Sequence, residues 1–216
     1  LYLIDACQSI GQTELDVNVL HCDFLSVTSR KFLRGPRGAG FLYISDRALD
    51  EGLEPLFIDM RGADWVMPDV YVPRADAKRF EDWEFAYSLL LGTAAAIEYL
   101  DRLDIHKVEK QIRFLADYLR SGLGQIDGIN TYDLGASPGG LVTFHLRGHE
   151  PEPLKELFRA RQINVVTSYR NFAVIDYDYK KVPWTIRVSP HYFNTIEELD
   201  YFLEVTSEIA NSKEKR

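Results

Sequence analysis

Lys31 has the surroundings of a lysine that forms a Schiff base. It lies in a loop rich in glycine and proline, in the run Thr28-Ser29-Arg30-Lys31-Phe32-Leu33-Arg34-Gly35-Pro36-Arg37-Gly38, between two apolar segments that predict strands. Upstream, the motif Asp5-Ala6-Cys7-Gln8 supplies an acid and a polar side chain. A Schiff base to pyridoxal phosphate (PLP) needs an acid that keeps the ring nitrogen protonated and a polar group near the ring oxygen. The two motifs together therefore predict PLP chemistry.

Arginines on both sides of Lys31 strengthen this interpretation. Desolvation and nearby cations favour the neutral, nucleophilic form of a lysine amine, and Arg30, Arg34 and Arg37 provide positive charge. For an isolated lysine, an ordinary exposed basic loop is the commoner explanation, and Arg37 can be a solvated charge. The upstream motif reverses that balance, so we predict a catalytic role for Lys31.

The two motifs, their order and their spacing resemble the class V aminotransferase family of fold-type I PLP-dependent enzymes. This family includes cysteine desulfurases, selenocysteine lyases and isopenicillin-N-epimerase-like proteins. The resemblance resumes in the segment from Trp184 to Asp200, which is similar to the family's carboxylate-binding arginine and its closing helix. It therefore covers nearly the whole chain.

The resemblance implies an α/β protein that is the C-terminal part of a PLP-dependent transferase fold. Residues 1–95 would be a remnant of the large, mainly parallel-sheet, PLP-binding domain, and residues 96–216 a small C-terminal α+β domain. Because the chain opens at Leu1 directly in an apolar segment, we expect an N-terminally truncated piece. It would lack the family's phosphate-binding turn and the aromatic that stacks on the cofactor. The fold also implies a homodimer, since it builds its site at a subunit interface.

Four residues near Lys31 receive cofactor-binding roles from the resemblance. Asp5 would pair with the pyridinium nitrogen, so that the ring can accept electrons from the substrate's α-carbon. Gln8 would donate to the ring's phenolic oxygen. Thr28 and Arg30 stand where family members place phosphate-binding groups, commonly Ser and His, and both can donate hydrogen bonds to phosphate. The alternative for Asp5 is a cap on the following turn.

Arg187 is the predicted substrate-binding residue. It lies between Ile186 and Val188 in an apolar segment that predicts a strand, where an unpaired charge is costly. The resemblance implies that it grips a substrate carboxylate. An ion pair within the small domain is the structural alternative.

A third segment, Arg79 to Glu84, resembles a family stretch that reads Arg-Phe-Glu-Gly-Thr in part and reaches the phosphate of the partner subunit. Trp83 and Glu84 replace the glycine and threonine here. We therefore assign no phosphate contact to this segment, and we expect Trp83 to pack at the dimer interface.

Composition excludes several classes of function. The 216 residues are 46% hydrophobic and 27% charged, which is enough for one or two globular units. The net charge of -8 argues against nucleic acid as a partner. No apolar run is long enough for a membrane span, and no secretory signal is present, so we expect a cytoplasmic protein without a membrane partner. Cys7 and Cys22 show no metal-ligand spacing, so we predict free thiols and no metal site.

Hydrophobic periodicity predicts the elements that must position these residues. Buried strands are expected at Leu1–Asp5 and Asp23–Thr28, and a third strand at Ala39–Ile44. Scattered prolines, glycines and aromatics predict a long ordered loop, irregular in secondary structure, over Glu51–Phe80. Helices are predicted over Glu84–Leu103 and Ile105–Leu123. The remainder is predicted to alternate strands with helices, at Gly128–Asp133, Leu141–Leu146, Pro151–Arg161, Asn164–Thr167, Thr185–Ser189 and Ile196–Ala210, before a charged tail at Lys213–Arg216.

The reaction is less defined than the cofactor. Cysteine desulfurases use a mobile cysteine in the small domain, and the corresponding segment here, Ile163–Phe172, contains none, which disfavours a persulfide route. Tyr169 and Arg170 in that segment are possible substrate-facing groups. Transamination, β-elimination of the lyase type and racemisation or epimerisation stay open, with Lys31 as the proton shuttle. The second class of function is a non-catalytic dimerisation or binding module that retains the lysine motif.

Overall fold

The computed structural model describes residues 1–212, and the predicted charged tail at Lys213–Arg216 lies outside them. The chain forms two compact units, the first covering Leu1–His106 and the second beginning at Lys107. The boundary predicted between residues 95 and 96 falls inside a continuous helix, Tyr87–Leu103, because the helical pattern runs on past it. The division of roles between a PLP-binding domain and a small domain stays a prediction.

The first unit contains five strands and several short helices. Its strands are β1 (Leu3–Asp5), β2 (Phe24–Thr28), β3 (Gly40–Ile44), β4 (Ala63–Met67) and β5 (Val70–Pro73). Its helices are α1 (Val17–Leu20), α2 (Asp46–Asp50), a 3-10 turn at Ala77–Phe80 and α3 (Tyr87–Leu103). The long helix α4 (Ile105–Leu123) begins at the end of the first unit.

Strands β1, β2 and β3 form one sheet in which the middle strand, β2, pairs with both others. The pairing of β1 with β2 is parallel and that of β2 with β3 is antiparallel. The expectation that β1 is buried is wrong, because Leu1, Tyr2 and Leu3 are 76%, 53% and 60% exposed. The strand lies at the sheet edge, so within residues 1–212 only part of it is covered.

The segment from Glu51 to Phe80 is more regular than its prolines suggested. Strands β4 and β5 pair as an antiparallel hairpin, with Met67 opposite Val70 and a bulge beside Trp65. Pro68 lies in the turn, where a proline removes no ladder hydrogen bond, and its carbonyl accepts a bond from the Trp65 indole at 3.2 Å. The prediction of a long irregular loop is therefore wrong. Alternating aromatic and β-branched residues outweigh the prolines here.

The second unit is an antiparallel sheet covered by helices. Its strands are β6 (Ile129–Thr131), β7 (Val142–Leu146), β8 (Val166–Tyr169) and β9 (Trp184–Val188), in the order β6-β7-β9-β8. Its helices besides α4 are α5 (Pro151–Ala160), a 3-10 turn at Arg170–Phe172, α6 (Val174–Lys180) and α7 (Ile196–Ser212). The predicted alternation is confirmed with small shifts of the bounds, but α6 was not predicted.

One face of this sheet carries the core of the second unit. Phe144 on β7 contacts Phe158 on α5 and Phe202 on α7, with ring centroids 6.5 and 6.1 Å away. All of these side chains are buried, as are Ile186 on β9 and Leu115 on α4. Because strand residues alternate between faces, Thr185 and Arg187 point to the opposite side of the sheet.

On that opposite side, α6 is fastened to the sheet through Tyr177. Its hydroxyl lies 2.8 Å from the Thr185 hydroxyl and donates to the Ser168 carbonyl at 3.2 Å.

No helix within residues 1–212 is long and apolar enough to cross a membrane.

Candidate cofactor site

Asp5 and the loop of Lys31 emerge from neighbouring parallel strands. Asp5 is the last residue of β1 and is aligned with Ser26 on β2, which ends two residues later at Thr28. The carboxyl ends of parallel strands share one edge of a sheet, where ligands of open α/β sheets bind. Hydrogen bonds to Cys7 are the largest causes of the lowered pKa of Asp5, and the positive charge of Lys31 is the smallest of them. The structure therefore brings the predicted acid and the predicted lysine together.

The Lys31 loop is held by hydrogen bonds from its own backbone and from Ser29. The buried Ser29 hydroxyl lies 2.8 Å from the carbonyl oxygens of both Pro36 and Ala39. The Gly35 amide donates to the Ser29 carbonyl at 2.7 Å, and the Arg34 amide to the Lys31 carbonyl at 2.8 Å. The loop is thus closed on itself. Sequence reasoning missed Ser29, because these partners are set by the fold of the loop.

Glycines allow the two motif loops to touch. Gly11, in the loop that follows the Asp5 motif, has φ +83°, and a Cβ there would lie 2.5 Å from the Leu33 backbone nitrogen. Gly40, at the start of β3, would place a Cβ 2.1 Å from the Val27 carbonyl oxygen. No side chain fits at either position without moving backbone. The close approach therefore fixes the Asp5 loop against the Lys31 loop.

Asp5 is held by Cys7, two residues further on. The Cys7 amide donates to the Asp5 carboxylate at 3.0 Å, so Asp5 caps the turn after β1, as its structural alternative expected, and its cofactor role stays a prediction. Hydrogen bonds from the Cys7 thiol and amide, with the charge of Lys31, hold the pKa of Asp5 below its usual value. An ionised carboxylate at this place is the form that a protonated pyridinium nitrogen requires.

The three arginines of the loop have different surroundings. Arg30 and Arg37 are exposed, whereas Arg34 is half-buried and its guanidinium lies over the Tyr99 ring, 4.9 Å from the centroid. Cation–π packing of this kind fixes an arginine beside the loop rather than in solvent. Arg34 is therefore a fixed charge near Lys31, and Arg30 is free to extend toward a ligand.

Thr28 and Gln8 lie on the same two segments as Lys31 and Asp5. Thr28 ends β2 and is half-buried, and Gln8 is half-buried in the turn after β1. The Gln8 carbonyl accepts a hydrogen bond from the Gln12 side chain at 2.5 Å, which orders the turn. Contacts of Thr28, Arg30 and Gln8 with the cofactor stay predictions.

Arg187 is at the centre of the second unit's sheet, aligned with Thr143 on β7 and Val166 on β8. Its Nε is buried and has no hydrogen-bond partner among the described residues. The described residues form no ion pair with Arg187. The structural alternative, an ion pair within the small domain, is therefore not observed. A buried guanidinium nitrogen without a partner is costly, and a ligand carboxylate would satisfy it.

Two other predicted segments are occupied by structural contacts. Arg79 is buried and its guanidinium donates to the carbonyls of Arg74, Leu49 and Leu53 at 2.7 to 3.1 Å, so it is a packing residue of its own unit. Trp83 is 53% exposed. Its place in a dimer interface stays a prediction.

The possible substrate-facing pair in the second unit is also engaged. The Tyr169 hydroxyl donates to Glu152 at 2.6 Å, which raises the pKa of Tyr169. Arg170 forms an ion pair with Asp178, at 2.7 Å between Nη2 and Oδ2. Both side chains therefore fasten β8 and the turn after it to neighbouring helices.

Among the described residues no cluster of three potential metal ligands occurs.

Comparison with known proteins gives a consistent result. A family model of class V aminotransferases matches residues 1–202. A probable cysteine desulfurase of Methanothermobacter thermautotrophicus is 31% identical over 97% of this chain and 53% of its own length. The apo structure of cysteine desulfurase from Thermococcus onnurineus NA1 has a TM-score of 0.89 and 28% identity, covering 98% of this chain and 53% of that one. The cystine C-S lyase C-DES, in complex with cysteine persulfide, has a TM-score of 0.75 and 26% identity, covering 91% and 49%.

The fold and the paired motifs define an α/β protein of the PLP-dependent type, as these comparisons bear out. The chain belongs to the class V aminotransferase family. It spans about half the length of the curated relatives that it matches. A mutant of C-DES has also been solved with glycine covalently linked to the PLP cofactor. The predicted family, fold class and cofactor are confirmed.

Proposed function

We propose that this chain contains the Schiff-base lysine, Lys31, of a PLP-dependent enzyme that acts on an amino acid. The observation that carries the proposal is the placement of Asp5 and the Lys31 loop at one edge of two parallel strands. PLP supplies the electron sink for a carbanion at the substrate's α-carbon. Family membership favours this function over a non-catalytic module.

Each residue would have a defined task. Lys31 would anchor the cofactor and would take and return the substrate's α-proton at its Nζ. Asp5 holds the proton on the ring nitrogen, Gln8 donates to the ring oxygen, and Thr28 and Arg30 donate to the phosphate. These five residues lie at the ends of β1 and β2 or just after them, so a single bound cofactor could meet them together.

In the second unit, Arg187 would bind the substrate's carboxylate. Its buried, unpartnered Nε supports this role. Bidentate pairing would fix the substrate's orientation, which selects the bond that breaks.

The relatives' names direct the choice of first substrates. Several curated relatives are probable cysteine desulfurases, and C-DES is a cystine C-S lyase. The segment Ile163–Phe172 lacks cysteine, and the two cysteines, Cys7 and Cys22, lie on the first unit and are free. We therefore propose lyase or transaminase chemistry without a persulfide on that segment, with cysteine and cystine as the first substrates to test.

We further propose a homodimer in the cytoplasm. The hairpin β4–β5 exposes a contiguous set of apolar side chains, and surfaces of this kind support an interaction face: Trp65, Val66, Met67, Val70, Tyr71 and Val72. Free thiols at Cys7 and Cys22 are compatible with a reducing compartment. Sedimentation of the complete protein should give a dimer, and a monomer at micromolar concentration would contradict this assignment.

The test is reductive trapping of PLP on the complete protein with borohydride, followed by peptide mapping. We expect the label on Lys31, and we expect Lys31→Ala to lose turnover of its amino acid by roughly 10²–10⁴-fold, the usual share of a general acid–base group. Lys78→Ala, at an exposed lysine of the same unit, is the matched control. Folded protein without label, or full turnover in Lys31→Ala, would exclude the proposal.

A further inference from the structure

Val166 is the neighbour of Arg187 on the edge strand of the second unit's sheet. The two residues are aligned across β8 and β9, which pair antiparallel. Directly opposite residues of such a pair project from the same face of the sheet, with Cβ atoms about 4.5–5.5 Å apart. Val166 is 48% exposed, and β8 is the last strand of the sheet. An accessible apolar side chain therefore lies beside Arg187 on its β8 side.

On the β7 side, the aligned neighbour of Arg187 is Thr143, and its polar groups already have partners. The Thr143 hydroxyl and amide donate to one oxygen of Asp133, at 2.6 and 2.9 Å. The other oxygen of Asp133 accepts from the Nε of Arg120 at 2.8 Å. Both oxygens of this acid are engaged by groups other than Arg187. The β7 side therefore consists of polar groups that satisfy one another.

The same face continues along β9 to Thr185, which is buried. Its hydroxyl lies 2.8 Å from the Tyr177 hydroxyl, so it too has a partner within the unit. The Nε of Arg187 is buried without a hydrogen-bond partner among the described residues. This face thus offers a ligand one unsatisfied donor, Arg187, with an exposed apolar surface, Val166, directly beside it.

The arrangement has a consequence for the ligand's remaining atoms. A carboxylate on Arg187 places the group attached to it near one of the two aligned neighbours. An uncharged or apolar group can pack on Val166 without losing a hydrogen bond. A second carboxylate there would lose water and gain no donor from the valine side chain, which is costly for a charged group. Unpaired charges of this kind are a common means of rejecting a wrong ligand.

We propose that Val166 is a specificity-determining residue, an apolar wall beside Arg187 that favours substrates with an uncharged side chain over substrates with a second carboxylate. The inference deepens the proposed function and rests on it, because Arg187 is the carboxylate-binding residue of that proposal. The substrate class is then the amino acids with small uncharged side chains, cysteine and alanine among them. Aspartate and glutamate are disfavoured.

The placement of Val166 beside Arg187 can be tested without cofactor or substrate, by the thermal unfolding of the complete protein. A glutamate at position 166 would pair with Arg187. Val166→Glu should therefore have a Tm effect that is more favourable by about 1–3 °C in the wild type than in an Arg187→Gln background. Val166→Gln, which has the same size and no charge, is the control and should have the same effect in both backgrounds. Equal effects of Val166→Glu in the two backgrounds would overturn the proposal.

The preference itself can be measured by calorimetric binding of two unreactive acids, butanoate and succinate, to the complete protein at about pH 8. These acids have the same number of carbons and differ by a methyl group against a second carboxylate. The wild type should bind butanoate more tightly. Val166→Lys supplies a partner for the second carboxylate and should raise the affinity for succinate relative to butanoate by roughly 10-fold, the effect of one charge-assisted bond.

The control for this measurement is Leu157→Lys. Leu157 is 45% exposed on α5, the helix whose Phe158 packs on the core face of the sheet, so the added charge lies on the side away from Arg187. Its ratio of affinities should equal that of the wild type. An unchanged ratio in Val166→Lys, a wild type that prefers succinate, or a wild type that binds neither acid would overturn the proposal.

The experiments separate this inference from the proposed function. A complete protein without a trapped PLP label on Lys31 would exclude the proposed function, and the Tm effects would still decide whether Val166 faces Arg187. A label on Lys31 together with an unchanged ratio in Val166→Lys would keep the proposed function and remove the role of Val166.

Discussion

The two units of this chain hold their functional residues in different ways. Arg187 is on a strand of the second unit, whose sheet is backed by a large cluster of fully buried residues that includes Phe144, Phe158 and Ile186. Lys31 is in a loop of the first unit, whose buried clusters are small and whose apolar residues are often exposed. The loop adds hydrogen bonds and glycine contacts to the packing of Phe32 and Leu33, the two buried side chains that follow Lys31. A large packed core thus supports the substrate-binding candidate, and local polar and backbone contacts supplement a smaller apolar contribution at the candidate cofactor anchor.

The largest expected effect concerns the core of the second unit. Phe144→Ala removes a fully buried ring that contacts two other rings and should lower the free energy of unfolding by about 3–5 kcal/mol. Phe41→Ala, at a ring of β3 that is 38% exposed, should cost much less. Urea unfolding of both variants measures the difference. If both variants lost the same free energy of unfolding, the proposed difference between the two units would be wrong.

Arg187 should affect binding rather than folding. Arg187→Gln removes the charge that we propose pairs with the substrate's carboxylate, and it should raise KM by roughly 10–100-fold, the effect of losing a charge-assisted bond. Arg159→Gln, at an exposed arginine of α5, should leave KM unchanged. Steady-state kinetics with the active amino acid decides this. A KM equal to that of the wild type would remove Arg187 from the substrate site.

Ser29 tests whether polar geometry supports the first unit's loop. Ser29→Ala leaves the carbonyls of Pro36 and Ala39 without the hydroxyl, and should cost about 1–3 kcal/mol of stability and weaken PLP retention. Ser88→Ala, at an exposed position of α3, is the control. Thermal unfolding and PLP dialysis are the measurements. Unchanged PLP retention would mean that the loop is held mainly by its glycine contacts.

The smallest effect is a pH dependence within the second unit. Burial, with the charge of Arg147, lowers the pKa of His145, which packs on Trp184 with ring centroids 4.4 Å apart. A lowered pKa means that the folded state prefers neutral His145. The resulting stability is complete above the ordinary value of 6.5 and is lost as the pH falls below it toward the folded pKa.

Between about pH 7.5 and pH 5.5, the Tm of His145→Gln should therefore fall by less than the Tm of the wild type. His106→Gln, at an exposed histidine, should behave like the wild type. The fluorescence of Trp184, which packs on His145, should change over the same pH range. A Tm loss that does not differ between His145→Gln and the wild type would show that this histidine is not coupled to folding.

Much of the fold could be predicted because periodicity is a local property. The hydrophobic pattern of α4 predicted both of its end residues. The predicted ends of the two strands on either side of Lys31 lie within a few residues of the observed ends. The hairpin β4–β5 was missed because prolines outweighed the alternation of its side chains. Helix α6 was missed because it is short, and because its one anchor, Tyr177, depends on a bond to Thr185 that the sequence does not display.

The candidate site was predictable to the level of residue type. Asp5, Lys31 and Arg187 are recognisable from motif and context, and the structure places the first two at one sheet edge. The contacts that hold them come from elsewhere along the chain. Ser29 depends on carbonyls of the folded loop, and Gly11 depends on a backbone segment that follows Lys31. Such partners are set by tertiary folding and leave no local pattern.

The contact of Gly11 with Leu33 has a consequence for protein engineering. The two loops meet backbone to backbone, so neither has a side chain that could shrink to make room for a change in the other. If one loop were randomised while the other is kept constant, most of the sampled sequences would not let the two loops pack against each other. Libraries that aim to change the reaction should therefore exchange both loops as a single cassette, with glycine retained at position 11.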